Sequence, residues 1–158
     1  MDELVIAAPI LIRPGGGWKV GNHQMIPGVL DILEIIPEAE SIDSWSQLFT
    51  IQNFTNAWGG LTPQASLEKL KAIREEICPG VTRWTTLASD AQAVLYEWSL
   101  NAPCRTEPIQ HEIGKILYGR FNRFLVRFTV KADQMPPALR QQWLECLMKA
   151  RVETRPIP

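Results

Sequence analysis

The chain has 158 residues, 46% of them hydrophobic and 21% charged, a composition that excludes a disordered or low-complexity protein and predicts one globular domain. Its net charge is −1, yet residues 1–80 hold 5 basic and 10 acidic side chains whereas residues 81–158 hold 11 and 7. Such a chain is polarised but nearly neutral, and a dedicated nucleic-acid binder is usually basic throughout, so none is expected.

Residues 4–12, LVIAAPILI, are apolar but short, broken by Pro9 and preceded by Asp2 and Glu3. A membrane span needs about 20 apolar residues and a leader peptide a positive start, so neither is predicted. RPGGGWKVGNH at 13–23 reads as a loop with a short strand at 18–20, because consecutive glycines hold no regular element. Residues 1–28 as a whole are expected to be extended or loop-rich. VLDILEII at 29–36 stops at Pro37 as a strand does, and WSQLFTIQNF at 45–54 alternates enough to be a second strand.

A helix is predicted next. Thr62 can cap it, Pro63 suits its first position, and Leu67, Leu70, Ile73 and Ile77 build an apolar stripe that Pro79 and Gly80 terminate. Lys71 and Glu75 are expected to face each other one turn apart on its wet side. From residue 81 the period changes to two. AVLYEWSL at 93–100 sends Val94, Tyr96, Trp98 and Leu100 to one side, and QHEIGKILY and RFLVRFTVK pair as a hairpin across GRFN at 119–122. A closing helix from Pro136 to about Ala150 carries Leu139, Trp143, Cys146 or Leu147, and Ala150 on one stripe. The tail 151–158 is expected to be loose.

Within 123–131, Phe124, Val126, Phe128 and Val130 share one parity, and Arg123, Leu125, Arg127, Thr129 and Lys131 share the other. Alternate side chains of a strand point to opposite faces, so rings and guanidinium groups cannot share a surface. A sheet that reads RNA needs aromatic and basic side chains on the same exposed face. The pattern is therefore read as a core-facing aromatic row backed by a solvated basic row, with Arg123, Arg127 and Lys131 as partner-binding candidates.

Other candidate chemistry is thin. In GGGWKVG, Lys19 is followed by Val20 and opens no helix, so it is not a phosphate loop. His23 and His111 lack ligand spacing, so no metal is expected, and no cofactor. Cys78, Cys104 and Cys146 are odd in number and show no CxxC, and are read as reduced thiols in the cytoplasm. Cys104 in a turn beside Arg105, with His111 across the loop, is the one nucleophile arrangement to consider. Carboxylates at Glu34, Glu38, Glu40 and Asp43 are read as solvated. Of the six tryptophans, Trp18 and Trp58 stand beside glycines in loops, where large rigid rings suit a partner surface.

The order VLDILEIIP, WSQLFTIQNF, the helix ASLEKLKAIREEI, three antiparallel strands and the helix ALRQQWLECLMKA resembles the PsbP-like fold over about residues 29–150. That family includes photosystem II assembly proteins, periplasmic lipoproteins and the effector-associated chaperones of type VI secretion. The resemblance implies non-catalytic binding of a partner at the sheet or the groove beside it, and carries over no functional residue by motif. The expectation is thus an α+β chain, a single antiparallel β-sheet packed against two main α-helices in an α/β/α sandwich. It would serve as a cytoplasmic accessory protein that binds another protein, with a secretion adaptor or effector chaperone as the concrete version. The alternative is a small ligand-binding protein or enzyme with a pocket near Cys104 and His111, and a homodimer stays open.

Overall fold

The computed structural model describes residues 1–55 and 60–158. Among them the elements run β1 (Asp2–Val5), β2 (Leu11–Ile12), β3 (Gly17–Ile26), β4 (Leu30–Pro37), β5 (Gln47–Thr55), α1 (Pro63–Ile77), β6 (Thr82–Ser89), β7 (Ala93–Leu100), β8 (Gln110–Tyr118), β9 (Asn122–Val130), α2 (Pro137–Lys149) and β10 (Arg151–Thr154). Eight strands form one sheet in the order β2-β3-β4-β5-β9-β8-β7-β6, and β1 pairs with β10 in a second, two-stranded sheet. The expected single antiparallel sheet is corrected on both counts. β2 runs parallel to β3, which makes the large sheet mixed, and the small sheet joins the two ends of the chain through Asp2↔Thr154 to Val5↔Arg151.

The large sheet is two meanders joined side by side. β3–β5 form one, with β2 added in parallel at its edge, β6–β9 form the other, and antiparallel pairing of β5 with β9 from Gln47↔Val130 to Thr55↔Asn122 closes the seam. α1 carries the chain from the seam to the far edge at β6, and the chain then works back inward. β9 consequently has a neighbour on both sides, β5 and β8, and lies in the middle of the sheet.

Those faces follow the alternation read from the sequence. Phe124, Val126, Phe128 and Val130 are buried on one face, with Ile35, Phe49, Leu95, Ile113 and Leu117. α2 lies here and buries Trp143, Cys146 and Leu147. Its indole stacks on Phe128 at 4.1 Å between centroids and tilts against Phe49 at 4.9 Å. Lys115 donates to the carbonyls of Met148 at 3.1 Å and Ala150 at 2.7 Å, so a cation sits at the negative end of the helix. Burial lowers the pKa of this ammonium.

α1 lies on the opposite face, over Val94, Tyr96, Trp98, Leu100, Ile116 and Leu125. Its start is as predicted: Thr62 Oγ1 accepts from the Ala65 N–H at 3.1 Å and Pro63 leads the helix. Lys71 pairs with Glu68 at 3.1 Å and not with Glu75, which instead accepts from the Gly80 N–H at 2.8 Å just past the helix end.

Several elements differ from expectation. The strand expected at 18–20 extends over Gly17–Ile26, with a bulge between Val20 and Asn22. Gly21 sits at that bulge, where a side chain would strike Ile36. β6 pairs along β7 as an edge strand, and Arg151–Thr154, expected to be loose, are strand β10. Cys78 and Cys104, expected to be reduced, form a disulfide with Cα atoms 5.8 Å apart. That bond ties the C-cap of α1 to the loop 101–109, and Cys146 is free and buried. Among the described residues no helix is long and apolar enough to cross a membrane.

Candidate partner-binding groove

Parity decides which β9 side chains reach the α1 face. Arg123, Leu125, Arg127 and Thr129 point there, beside Leu48, Thr50, Gln52 and Phe54 of β5 and Gln110, Glu112, Ile116 and Tyr118 of β8. α1 covers this face over β6, β7 and β8, leaving a trough between its flank and the β5–β9 seam.

Three depressions line the trough. The first, about 190 Å³, is bounded by Phe54, Lys69, Leu70, Ile73, Arg123 and Leu125. The second, about 210 Å³, shares Leu70 and Ile73 and adds Arg74, Trp98, Glu112 and Arg127. The third, about 460 Å³, shares Arg74, Glu107, Glu112 and Arg127 and opens toward Trp45 and Lys131. Ile73, expected on the buried stripe of α1, is 54% exposed above the first two.

The charged groups are set on an aromatic base. Glu112 is 3% exposed and accepts from Tyr96 Oη at 2.9 Å, Trp98 Nε1 at 2.7 Å and Thr129 Oγ1 at 2.8 Å. Burial first, and the Glu112 charge second, push the Tyr96 hydroxyl well above its ordinary pKa. Trp84 stacks on Trp98 at 5.6 Å, and Arg74 lies over the Trp98 ring at 4.7 Å while pairing with Glu107 at 3.2 Å. Arg127 Nη1 stands 3.9 Å from Glu112 Oε1, and its buried Nε has no hydrogen-bond partner. Arg123 lies over Phe54 at 4.3 Å and donates to Ser66 Oγ at 3.3 Å. Ser66 also bonds Tyr118 Oη.

The predicted site residues thus divide. Arg123 and Arg127 line the trough and Lys131 its mouth, its ammonium 4.1 Å over Trp45. The arginines are half-buried beside α1, where a solvated row was expected, because the helix shields that face. Trp18 lies against the core on the α2 side. Trp58 lies outside the described residues. Phe54, Lys69, Ile73 and Arg74 were not read from the sequence as site residues, since their convergence with Arg123 and Arg127 depends on the β5–β9 seam and the placement of α1.

The pairing that an enzyme reading requires does not form. Cys104 is spent in the disulfide on the α1 side. His111 points to the α2 side into a polar cleft of about 920 Å³ with Arg83, Glu97, Asp133, Met135 and Arg140. There Glu97 accepts from His111 Nε2 at 2.7 Å and from Arg140 at 2.7 and 2.9 Å. The Arg140 hydrogen bond, opposed by burial and aided by His111, holds the Glu97 carboxyl below its ordinary pKa. Among the described residues no group of three or more His, Cys, Asp or Glu side chains is placed to hold a metal ion.

No family model and no curated protein matches the chain. Among solved structures, the Saccharomyces cerevisiae Ran-binding protein Mog1p is similar over 95% of this chain and 94% of that one, at 11% identity and a TM-score of 0.48. A point mutant of protein Mog1 is similar over 95% of each chain, at 10% identity and a TM-score of 0.49. The resemblance to the PsbP-like family is corrected: no family model matches the chain, and its mixed eight-stranded sheet with a second, two-stranded sheet is not the single antiparallel sheet which that resemblance implied. The two neighbours are described as Mog1 proteins.

Proposed function

We propose that the protein is a non-catalytic binding protein that holds another protein in the trough beside α1. The observation that carries this reading is the run of adjoining depressions, floored by Phe54, Leu70 and Leu125, with Ile73 left exposed above them. Exposed apolar side chains around a concavity rimmed by polar groups are typical of binding surfaces. The alternative of an enzyme near Cys104 and His111 loses its support, because both groups are committed to structural bonds. The disulfide sets a condition on location: the oxidised form suits an oxidising compartment, and in the cytoplasm expected from the sequence Cys78 and Cys104 would be thiols.

A photo-crosslinking amino acid placed at Ile73, and as a control at Gln141 on the other face, tests this in extract of the native host. Discrete protein adducts from position 73 and none from 141 are expected. Equal labelling from both positions, or none from 73, would overturn the reading.

Self-association has separate support from β3. Beyond Trp18 its outer edge has no strand beside it among the described residues, and its Val20, Met25 and Ile26 are 47–63% exposed. Apart from Lys19 the run GWKVGNHQMI holds no lysine, arginine or carboxylate, so most of this edge lacks the charges that block strand pairing. Sedimentation velocity of the wild type and Met25→Lys checks it: a dimer that Met25→Lys dissolves is expected, and a monomer at all concentrations rejects it.

A further inference from the structure

We infer that the occupant of the α1 trough is an acidic, amphipathic segment of the partner, with one carboxylate held by Arg127 and an apolar side chain seated beneath Ile73. This rests on the reading of the trough as the partner surface. The argument is charge complementarity. Lys69, Arg74, Arg123, Arg127 and Lys131 line the depressions, against Glu107 and Glu112.

Both carboxylates are already committed. Glu112 takes donors from Tyr96, Trp98 and Thr129, and Glu107 takes Arg74 and the Gln110 amide at 3.1 Å. The cations are less fully used. Arg123 meets a ring and a hydroxyl, Lys131 meets a ring, and Arg127 has a buried Nε with no acceptor and its nearest carboxylate oxygen at 3.9 Å.

A carboxylate is the acceptor that fits a guanidinium fork, and a desolvated charged donor gains most from one. Arg123 and Arg127 are four residues apart on one face of a strand, roughly 13 Å. An extended segment reaches both with acids four residues apart, and the intervening apolar side chain falls at the Leu70–Ile73 depressions. The apolar floor favours such a segment over a nucleic-acid backbone, which has no aliphatic group to bury.

Selection of a phage-displayed random dodecapeptide library on the immobilised protein tests the inference. Peptides with Asp or Glu flanking Leu, Ile or Phe are expected. For a labelled selected peptide, Arg127→Gln and Arg123→Gln should each weaken binding about tenfold, as should Glu→Gln in the peptide, and added salt should weaken it further. Met25→Ser should change nothing, and each variant is first checked for an unaltered thermal melt. Selected peptides without acidic bias, insensitive to Arg127→Gln and Arg123→Gln but lost with Ile73→Asp, would overturn the acidic occupant and leave the trough standing. Peptides insensitive to Ile73→Asp and to both arginine changes, or no selection at all, would overturn both. A single-stranded oligonucleotide that displaces the selected peptide would do the same.

Discussion

The backbone N–H of Met135 donates to Nδ1 of His111 at 2.8 Å. Because Nδ1 must be the acceptor in that bond, the ring carries its proton on Nε2 and gives it to Glu97. The imidazole is therefore fastened at both nitrogens, one to the segment entering α2 and the other to β7. Its role is to hold the loop before α2 against the sheet.

Glu97 is the hub of that arrangement, and Glu97→Gln tests it. With a carboxyl pKa below its ordinary value in the fold, the ionised group contributes stability above the unfolded value of about 4.3 and loses it as pH falls through the folded value. Glu97→Gln is expected to cost about 1–3 kcal/mol at neutral pH. The difference from wild type should shrink once the wild-type carboxyl protonates in acid. Urea unfolding at pH 7 and at a series of lower pH values checks it, and a difference independent of pH would contradict it.

Reduction of the Cys78–Cys104 bond should destabilise the chain. The bond closes a segment with a sequence separation of 26, and a loop of that length is worth about 3 kcal/mol, on the order of 10 °C in Tm. Calorimetry with and without reductant should show the shift in wild type. The double variant Cys78→Ser, Cys104→Ser should melt at the reduced temperature and ignore the reductant.

What could be read from the sequence was local. The start of α1 was legible because Thr62 and Pro63 carry cap chemistry in adjacent positions, and β7 and β9 because their alternation reaches the whole strand. β6 was hidden by its edge position: only one flank is paired, most of TRWTTLAS is exposed, and a register shift between Thr86 and Ala88 interrupts its alternation. β1 and β10 find each other across nearly the full chain, so neither segment announces a partner. The trough was half legible. The parity of Arg123 and Arg127 was plain, but Phe54 reaches them only through the β5–β9 seam, and nothing in the spacing of Cys78 and Cys104 marks them as a pair.

Cys146 should resist alkylation in the folded protein. It is buried against the α2-side core, and burial pushes its thiol up to about 11. At pH 8 about one molecule in a thousand then holds the thiolate, on which alkylation depends. Iodoacetamide followed by mass spectrometry should leave Cys146 unmodified in native protein and modify it fully in urea. Rapid native labelling would mean that α2 opens from the sheet.

Asp2 should stabilise the fold from a distance in sequence. Its Oδ2 accepts from the N–H groups of Phe121 at 2.6 Å and Asn122 at 2.7 Å, and its Oδ1 from Thr154 Oγ1 at 2.6 Å. The carboxylate thus fastens the small β1–β10 sheet to the β8–β9 turn. Burial raises its pKa, but the Thr154 and backbone hydrogen bonds together outweigh it, and the net value is lowered. The stabilisation is present above the unfolded value of about 3.9 and fades as pH falls through the folded one. Asp2→Asn keeps the shape but removes the charge and should cost about 1–2 kcal/mol at neutral pH. Gly119→Ala, whose methyl would meet the same carboxylate, should also destabilise. If the carboxylate is the cause, Gly119→Ala combined with Asp2→Asn should cost less than the two single changes added together, as a double-mutant cycle of unfolding free energies would show.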